Sequence, residues 1–297
     1  MRYIVFVLAL FLCCSNAYGQ GCDTNTQILL HLDGSDGSTT MTDENCDGSG
    51  AISPTSVSGD AQIDTNLTDA FSGNSGVLML DGTGDSVDYA DRDEFSILAA
   101  TNDSWTLDMW IYITDLSANC QMASQYQSGS YDFWRFGVNT SGAVIFGAKD
   151  SGASNVVGVF SGGTISANTW YHVAFIKVNT NVALYVDGSQ VNTATQSQAY
   201  NYTYTMSIGK HTTQTGTSYY HKGYIDEFRI QKSNYFNADP STTPDSFTAP
   251  TVAYSVDADR RIIIISKFIP RDNGDGYDRI QWEQNFGWKG IKEHGYY

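Results

Sequence analysis

Carboxylates are the first residues in this chain whose types and spacing could do chemistry. Asp91-Arg92-Asp93-Glu94 gathers three acids into four positions, and Asp226-Glu227 sits inside the run YIDEFRI. Cleavage of an acetal needs two carboxyl groups flanking one bond. Neighbours on a strand point to opposite sides, so Asp226 and Glu227 are not expected to act on one bond, and the 91–94 group reads as a loop. No Gly-x-Ser-x-Gly elbow, zinc-protease motif or phosphate-binding loop occurs. The segment RDNGDGYDRIQWE imitates a calcium loop. Placing Asn273–Gly276 at loop positions three to six puts Arg271 at position one and Trp282 where a bidentate Glu belongs, so it reads as a turn. Tyrosines are the other candidates. QAYNYTYT carries Tyr200, Tyr202 and Tyr204, and TGTSYYHKGY carries Tyr219 and Tyr220 beside His221. Such rings on loops could stack on the apolar C–H face of a pyranose, with Asn201 and Lys222 orienting it. Alternating tyrosines are equally good strand formers with one face in a core.

The elements that must position these residues are strands. In TWYHVAFIKVNTNVALYVDGSQV, Trp170, His172, Ala174, Ile176 and Val178 face one way, and Tyr171, Val173, Phe175 and Lys177 the other. Asp187-Gly188 supplies the positive-φ pair of a two-residue type I′ turn. Trp170 and Phe175 are expected in the core, and His172, among apolar neighbours, reads as a packed, hydrogen-bonded histidine. About a dozen such runs fill residues 27–231, separated by Gly, Asn, Asp and Ser clusters and without an amphipathic helix. That pattern predicts an all-β sandwich of two antiparallel sheets. Trp105–Thr114 is long and apolar enough to be central to its sheet. Pro240, Pro244 and Pro250 mark the end of the domain. Beyond them, Arg261–Ile269 could form one strand docked on the sandwich edge or an exposed segment awaiting a partner.

The chain has 297 residues and a formal net charge of −16. From Gln20 to Ser255 there are 25 acidic and eight basic residues, a net −17. Such a field repels nucleic acid and anionic membrane surfaces, and tolerates neutral sugars and cations. Residues 1–19, with Arg2, the apolar run Ile4–Cys14 and small residues at Ser15–Gly19, read as a secretory signal, and the eleven-residue apolar run is too short to span a bilayer. Removing them leaves Cys22, Cys46 and Cys120. In an oxidising compartment a Cys22–Cys46 bridge with Cys120 buried and free is expected, other pairings remaining open.

In order along the chain come VLMLDGTGDSVDYAD, SWTLDMWIYI, SGGTISANTWYHVAFIK, ALYVDGSQV, SIGK and YIDEFRIQKSNYF. Together they resemble the laminin-G-like, concanavalin A-like jelly-roll domains of secreted proteins, over roughly residues 27–255. The resemblance implies domain limits of 20–255, a tail at 256–297, and a concanavalin A-like jelly-roll β-sandwich that recognises glycans or glycoproteins. Glucanases of this fold carry Glu-x-Asp-x-x-Glu on one strand, and no such run exists here, so a non-enzymatic module is expected. The ligand contacts would fall to Tyr200, Tyr202, Tyr219, Tyr220 and His221. A structural calcium tying the first and last strands is also implied, held by Asp226 on the closing strand and Asp33 in HLDG, with Asp36 nearby. The competing functions are an adhesive, protein-binding module of a cell envelope or virion, with the tail as its docking strand, and more remotely a glycan-cleaving enzyme.

Overall fold

A computed structural model describes residues 21–71, 75–255, 265–268 and 280–283. The expected signal segment and all but four residues of the calcium-loop look-alike lie outside them. In chain order the strands are β1 Thr26–Leu30, β2 Ser56–Ser58, β3 Gln62–Asp64, β4 Val77–Asp81, β5 Ser86–Tyr89, β6 Ser104–Ile113, β7 Cys120–Tyr126, β8 Phe133–Val138, β9 Val144–Lys149, β10 Asn155–Gly162, β11 Trp170–Val178, β12 Asn181–Val186, β13 Ser189–Thr195, β14 Met206–Ile208, β15 Lys210–Thr212, β16 Ser218–Tyr220, β17 Lys222–Gln231, β18 Ile265–Phe268 and β19 Ile280–Glu283. Two antiparallel sheets form the sandwich. The first runs β13-β12-β11-β6-β17-β4-β3, with β1 also on β17; the second runs β10-β9-β8-β7-β14-β5-β2. The all-β jelly-roll expectation is met.

Alternation decides what lies between the layers. Leu107, Met109 and Ile111 of β6, Phe175 of β11 and Phe228 and Ile230 of β17 meet Trp134, Phe136 and Phe146 of the second sheet in one continuous core. Phe146 and Phe175 stack across the interface with centroids 3.8 Å apart. As expected, β6 is central, flanked by β11 and β17. The β12–β13 turn uses Asp187 at φ 47° and Gly188 at φ 76°, as its sequence requires.

The opposite face of β11 and β12 is also apolar, and the chain covers it itself. Phe236, Ala238 and Phe247 fold back onto Ala174, Ile176, Ala183 and Tyr185. His172 is buried there, its Nε2 3.0 Å from Asp108 Oδ2. Trp170 departs from expectation: it shares this outer face rather than the core, half-buried at the strand start, and donates its indole N–H to Thr68 O at 3.1 Å.

Cys22 and Cys46 are bridged, and Cys120 is free and buried. In the tail, Ile265–Phe268 pairs with Ile280–Glu283 in a separate two-stranded ladder. Ile265–Phe268 lies inside the Arg261–Ile269 run read as a strand, and its partner is another tail segment. Among the described residues no helix is long and apolar enough to cross a membrane.

Candidate functional site

With the outer face of β11 and β12 covered by the chain itself, the second sheet offers an open, concave face. On β8 and β9, Trp134, Phe136, Phe146 and Ala148 point inward, so Phe133, Arg135, Gly147 and Lys149 point out. Register sets Phe133 opposite Lys149 and Arg135 opposite Gly147. Gly147 keeps the floor low: a Cβ there would meet Val159 Cγ2 at 2.7 Å. The β15–β16 hairpin rises on one side, presenting His211 and Thr213–Thr215. The Ser130-Tyr131 turn closes another, and the groove between them encloses about 310 Å³. That volume is at the small end for a ligand site.

The walls are aromatic and cationic. Tyr131 is 40% exposed, and Lys149 Nζ lies 5.4 Å from its ring centroid. The Arg135 guanidinium lies 5.8 Å from the Phe133 ring. Its Nε is buried without a hydrogen-bond partner, and burial pulls its pKa below the usual guanidinium value. His211 is wedged edge-on between Tyr126 and Phe133, at centroid distances of 5.4 and 4.9 Å. Burial, and then the Arg135 charge, push its pKa down to about 3, so it stays neutral at physiological pH. No acidic residue lines the groove.

The tyrosines singled out from sequence are dispersed. Tyr219 and Tyr220, half-buried on β16, line a smaller cleft of about 110 Å³ with Asn119, Asp115 and Lys222, the last two paired at 2.8 Å. Tyr200 is half-buried and donates its hydroxyl to Asp132 Oδ2 at 3.0 Å, against the edge of Tyr202. Tyr202 and His221 are corrected outright. They are 1% and 0% exposed and offer a ligand no ring face. His221 Nε2 sits 3.2 Å from Tyr224 O, and burial lowers its pKa to about 4. The groove residues Tyr131, Phe133, Arg135 and Lys149 went unmarked in the sequence. Their signal was the outward parity of β8 and β9, which becomes meaningful only once the uncovered sheet face is known.

The first and last strands do bring acids together. A β-bulge with Glu227 at φ 51° breaks the alternation of β17. Asp226 and Glu227 are consequently both 2% exposed, against the expectation that they face apart across the strand. Glu227 Oε1 contacts His31 Nδ1 at 2.7 Å and its Oε2 accepts the Tyr254 N–H at 3.0 Å. Asp226 Oδ2 accepts a long 3.4 Å bond from the Ala70 N–H. Burial, followed by the charges of Glu227, Asp33 and Asp69, raises its pKa well above the carboxylate range. A buried carboxylate among like charges suits a cation electrostatically. The protein ligands are sparse, however: no three acidic, histidine or cysteine side chains among the described residues converge on one point. Asp36 instead accepts the Thr65 N–H at 3.3 Å.

A family profile described as the concanavalin A-like lectin/glucanases superfamily matches residues 81–238. The chain belongs to that superfamily. The matched span runs from the end of β4 through β17 and contains the whole groove. No curated protein matches the chain. Among solved structures, a receptor binding domain is 13% identical with a TM-score of 0.52, covering 93% of this chain and 74% of its own. The botulinum neurotoxin serotype D/C binding domain is also 13% identical, with a TM-score of 0.50, covering 90% and 73%. At such identities these neighbours speak for the fold alone.

Proposed function

We propose that this chain is a secreted, non-catalytic carbohydrate-recognition module whose ligand lies in the groove on the outer face of the second sheet. One observation carries the reading: an exposed aromatic ring, Tyr131, stands beside hydroxyl and amide groups of Thr213, Gln214 and Thr215 in a concave site. A pyranose offers matching surfaces, an apolar face for the ring and hydroxyls for the polar side. Membership of a superfamily of lectins and glucanases agrees with a saccharide ligand. The groove contains no acidic pair to flank a glycosidic bond, which favours binding over cleavage. A shallow site of this size implies modest affinity, raised by multivalency where copies cluster.

A glycan array tests this. Saturable binding, competed by the free sugar, should weaken about tenfold or more in Tyr131→Ala, a loss of roughly 1.4 kcal/mol. The same change at Tyr219 or Tyr220 should leave it within about twofold. Silence across the array, or release of reducing sugar from polysaccharides, would reject the reading.

Calcium belongs to the same proposal as a structural ion, with Asp33 and Asp226 holding it and backbone carbonyls and water completing six to eight oxygens. Its contribution would be neutralisation of the buried acids where the first and last strands meet. Adding calcium to chelator-treated protein should raise Tm by about 2–4 °C for each kcal/mol gained, and Asp226→Asn should abolish the rise. In chelator that variant should be no less stable than wild type, because it removes a buried like charge. Differential scanning calorimetry reads both; an unchanged wild-type Tm dismisses the ion.

A further inference from the structure

Because the domain is strongly acidic, the sign of the groove is its least expected property. Around it, 25 acidic residues face eight basic ones. Four of those eight are matched locally: Arg92 with Glu94, Lys177 with Asp103, Lys222 with Asp115 and Arg229 with Asp108. Arg135 and Lys149 have no carboxylate within ion-pair distance among the described residues, yet they line one cavity that excludes acids altogether.

A structural role accounts poorly for this pair. A solubilising lysine or arginine would extend into water, whereas Arg135 is half-buried in mid-strand, with its Nε shielded from solvent and unbonded. Burying part of a guanidinium without a hydrogen-bond partner is unfavourable by itself. The neutral His211 beside it adds no charge and leaves one ring nitrogen, Nδ1, buried and unpartnered. The cationic centre is thus small, fixed on two adjacent strands and open on its solvent side.

We infer that the groove selects a saccharide bearing a negative charge, a carboxylate or sulfate group seated between Arg135 and Lys149 while the ring lies against Tyr131. This deepens the carbohydrate reading and rests on it. A planar guanidinium can meet a carboxylate or sulfate through two parallel N–H donors, and the Lys149 ammonium adds a mobile point charge. The surrounding acidity repels an anion at long range, but screening at physiological salt confines that repulsion to roughly 8 Å. The local cations therefore act within the groove, where solvent is thinned, and the field outside rejects polyanions that cannot reach it. The predicted preference is for a short anionic motif over an extended polyanion such as nucleic acid.

Isothermal titration separates the possibilities, using an oligogalacturonide against its methyl ester and a sulfated galactan oligomer against its desulfated form. One anionic member is expected to bind at least tenfold tighter than its neutral counterpart, which tells carboxylate from sulfate. That advantage should shrink as salt rises and disappear in Lys149→Gln and Arg135→Gln, while residual neutral-sugar binding persists. Lys149 stands at the end of β9, so its variant keeps the test informative if Arg135→Gln fails to fold. Neutral sugars binding as well as or better than their acidic forms, or Lys149→Gln retaining the full preference, would overturn the inference and leave the carbohydrate reading intact. No binding by any of these or by the array would remove both.

Discussion

Arg229→Met is expected to lower Tm by about 10 °C, a loss of roughly 3–5 kcal/mol in a domain of this size. Arg229 is fully buried on β17. Its Nε donates to Asp108 Oδ1 at 2.9 Å and its Nη2 to the Tyr254 hydroxyl at 3.0 Å, while Nη1 reaches Gly21 O at 3.4 Å. The guanidinium lies between the rings of Tyr235 and Tyr254, 3.9 Å from each centroid. Asp108 also takes contacts from His172 and from the Tyr254 hydroxyl. One cation thus ties the first described residue, the central strand and the end of the domain together. Removing it leaves Asp108 charged and buried, so the main cost is the stranded carboxylate. The double variant Asp108→Asn/Arg229→Met should therefore recover part of the loss, and a double as damaged as the sum of the singles would contradict this account. Burial alone would raise the Asp108 carboxyl, but Arg229 above all, with His172 and Tyr254, holds it below the usual range. Its contribution is present above the unfolded value of about 4 and is lost as pH falls through the lower folded value. The gap between wild type and Arg229→Met should be widest near neutrality and narrow in acid, as denaturant melts at several pH values would report.

This network also explains what the sequence could and could not reveal. Local rules were enough for the hairpin at Asp187-Gly188, for Phe175 in the core and for the central β6, because turn chemistry and two-residue alternation act over a few positions. They failed where distant chain intervenes. Trp170 obeys the alternation, yet its face is covered by residues some seventy positions later, so its parity could not say whether it was core. Tyr202 looked like a loop aromatic, but it packs into the main core beside Tyr200. Asp226 and Glu227 obeyed no alternation at all, since a β-bulge with a positive φ at a non-glycine residue left both buried. The groove was hidden for a related reason. Arg135 and Lys149 are ordinary outward strand positions until the β15–β16 hairpin and the Ser130-Tyr131 turn are seen to wall them into one groove.

Reduction of the Cys22–Cys46 bridge is expected to cost about 3 kcal/mol, the loop-closure value for a separation of 24 residues. The two cysteines are 4% and 3% exposed and pack with Leu29 and Tyr254 in a small cluster of their own. The bridge fastens residues 22–46 just where residues 21–22 meet Ser255, with the Gly21 and Cys22 N–H groups both directed at Ser255 O. Opening it would loosen that corner first and free Tyr254, whose hydroxyl serves the Asp108–Arg229 pair. Cys22→Ser/Cys46→Ser should accordingly lower Tm by about 6–12 °C, and a thiol reductant should bring wild type to the same value without moving the double variant. Cys120 gives the built-in control, because it is buried and unbridged and should contribute nothing to the reductant response. Saccharide affinity measured well below Tm should be unchanged, since the groove stands on β8 and β9 of the other sheet. A wild-type protein indifferent to reductant would mean that the corner is held by Tyr254 and its hydrogen bonds alone, and an affinity that fell with the bridge would mean that the two sheets are mechanically coupled through the core.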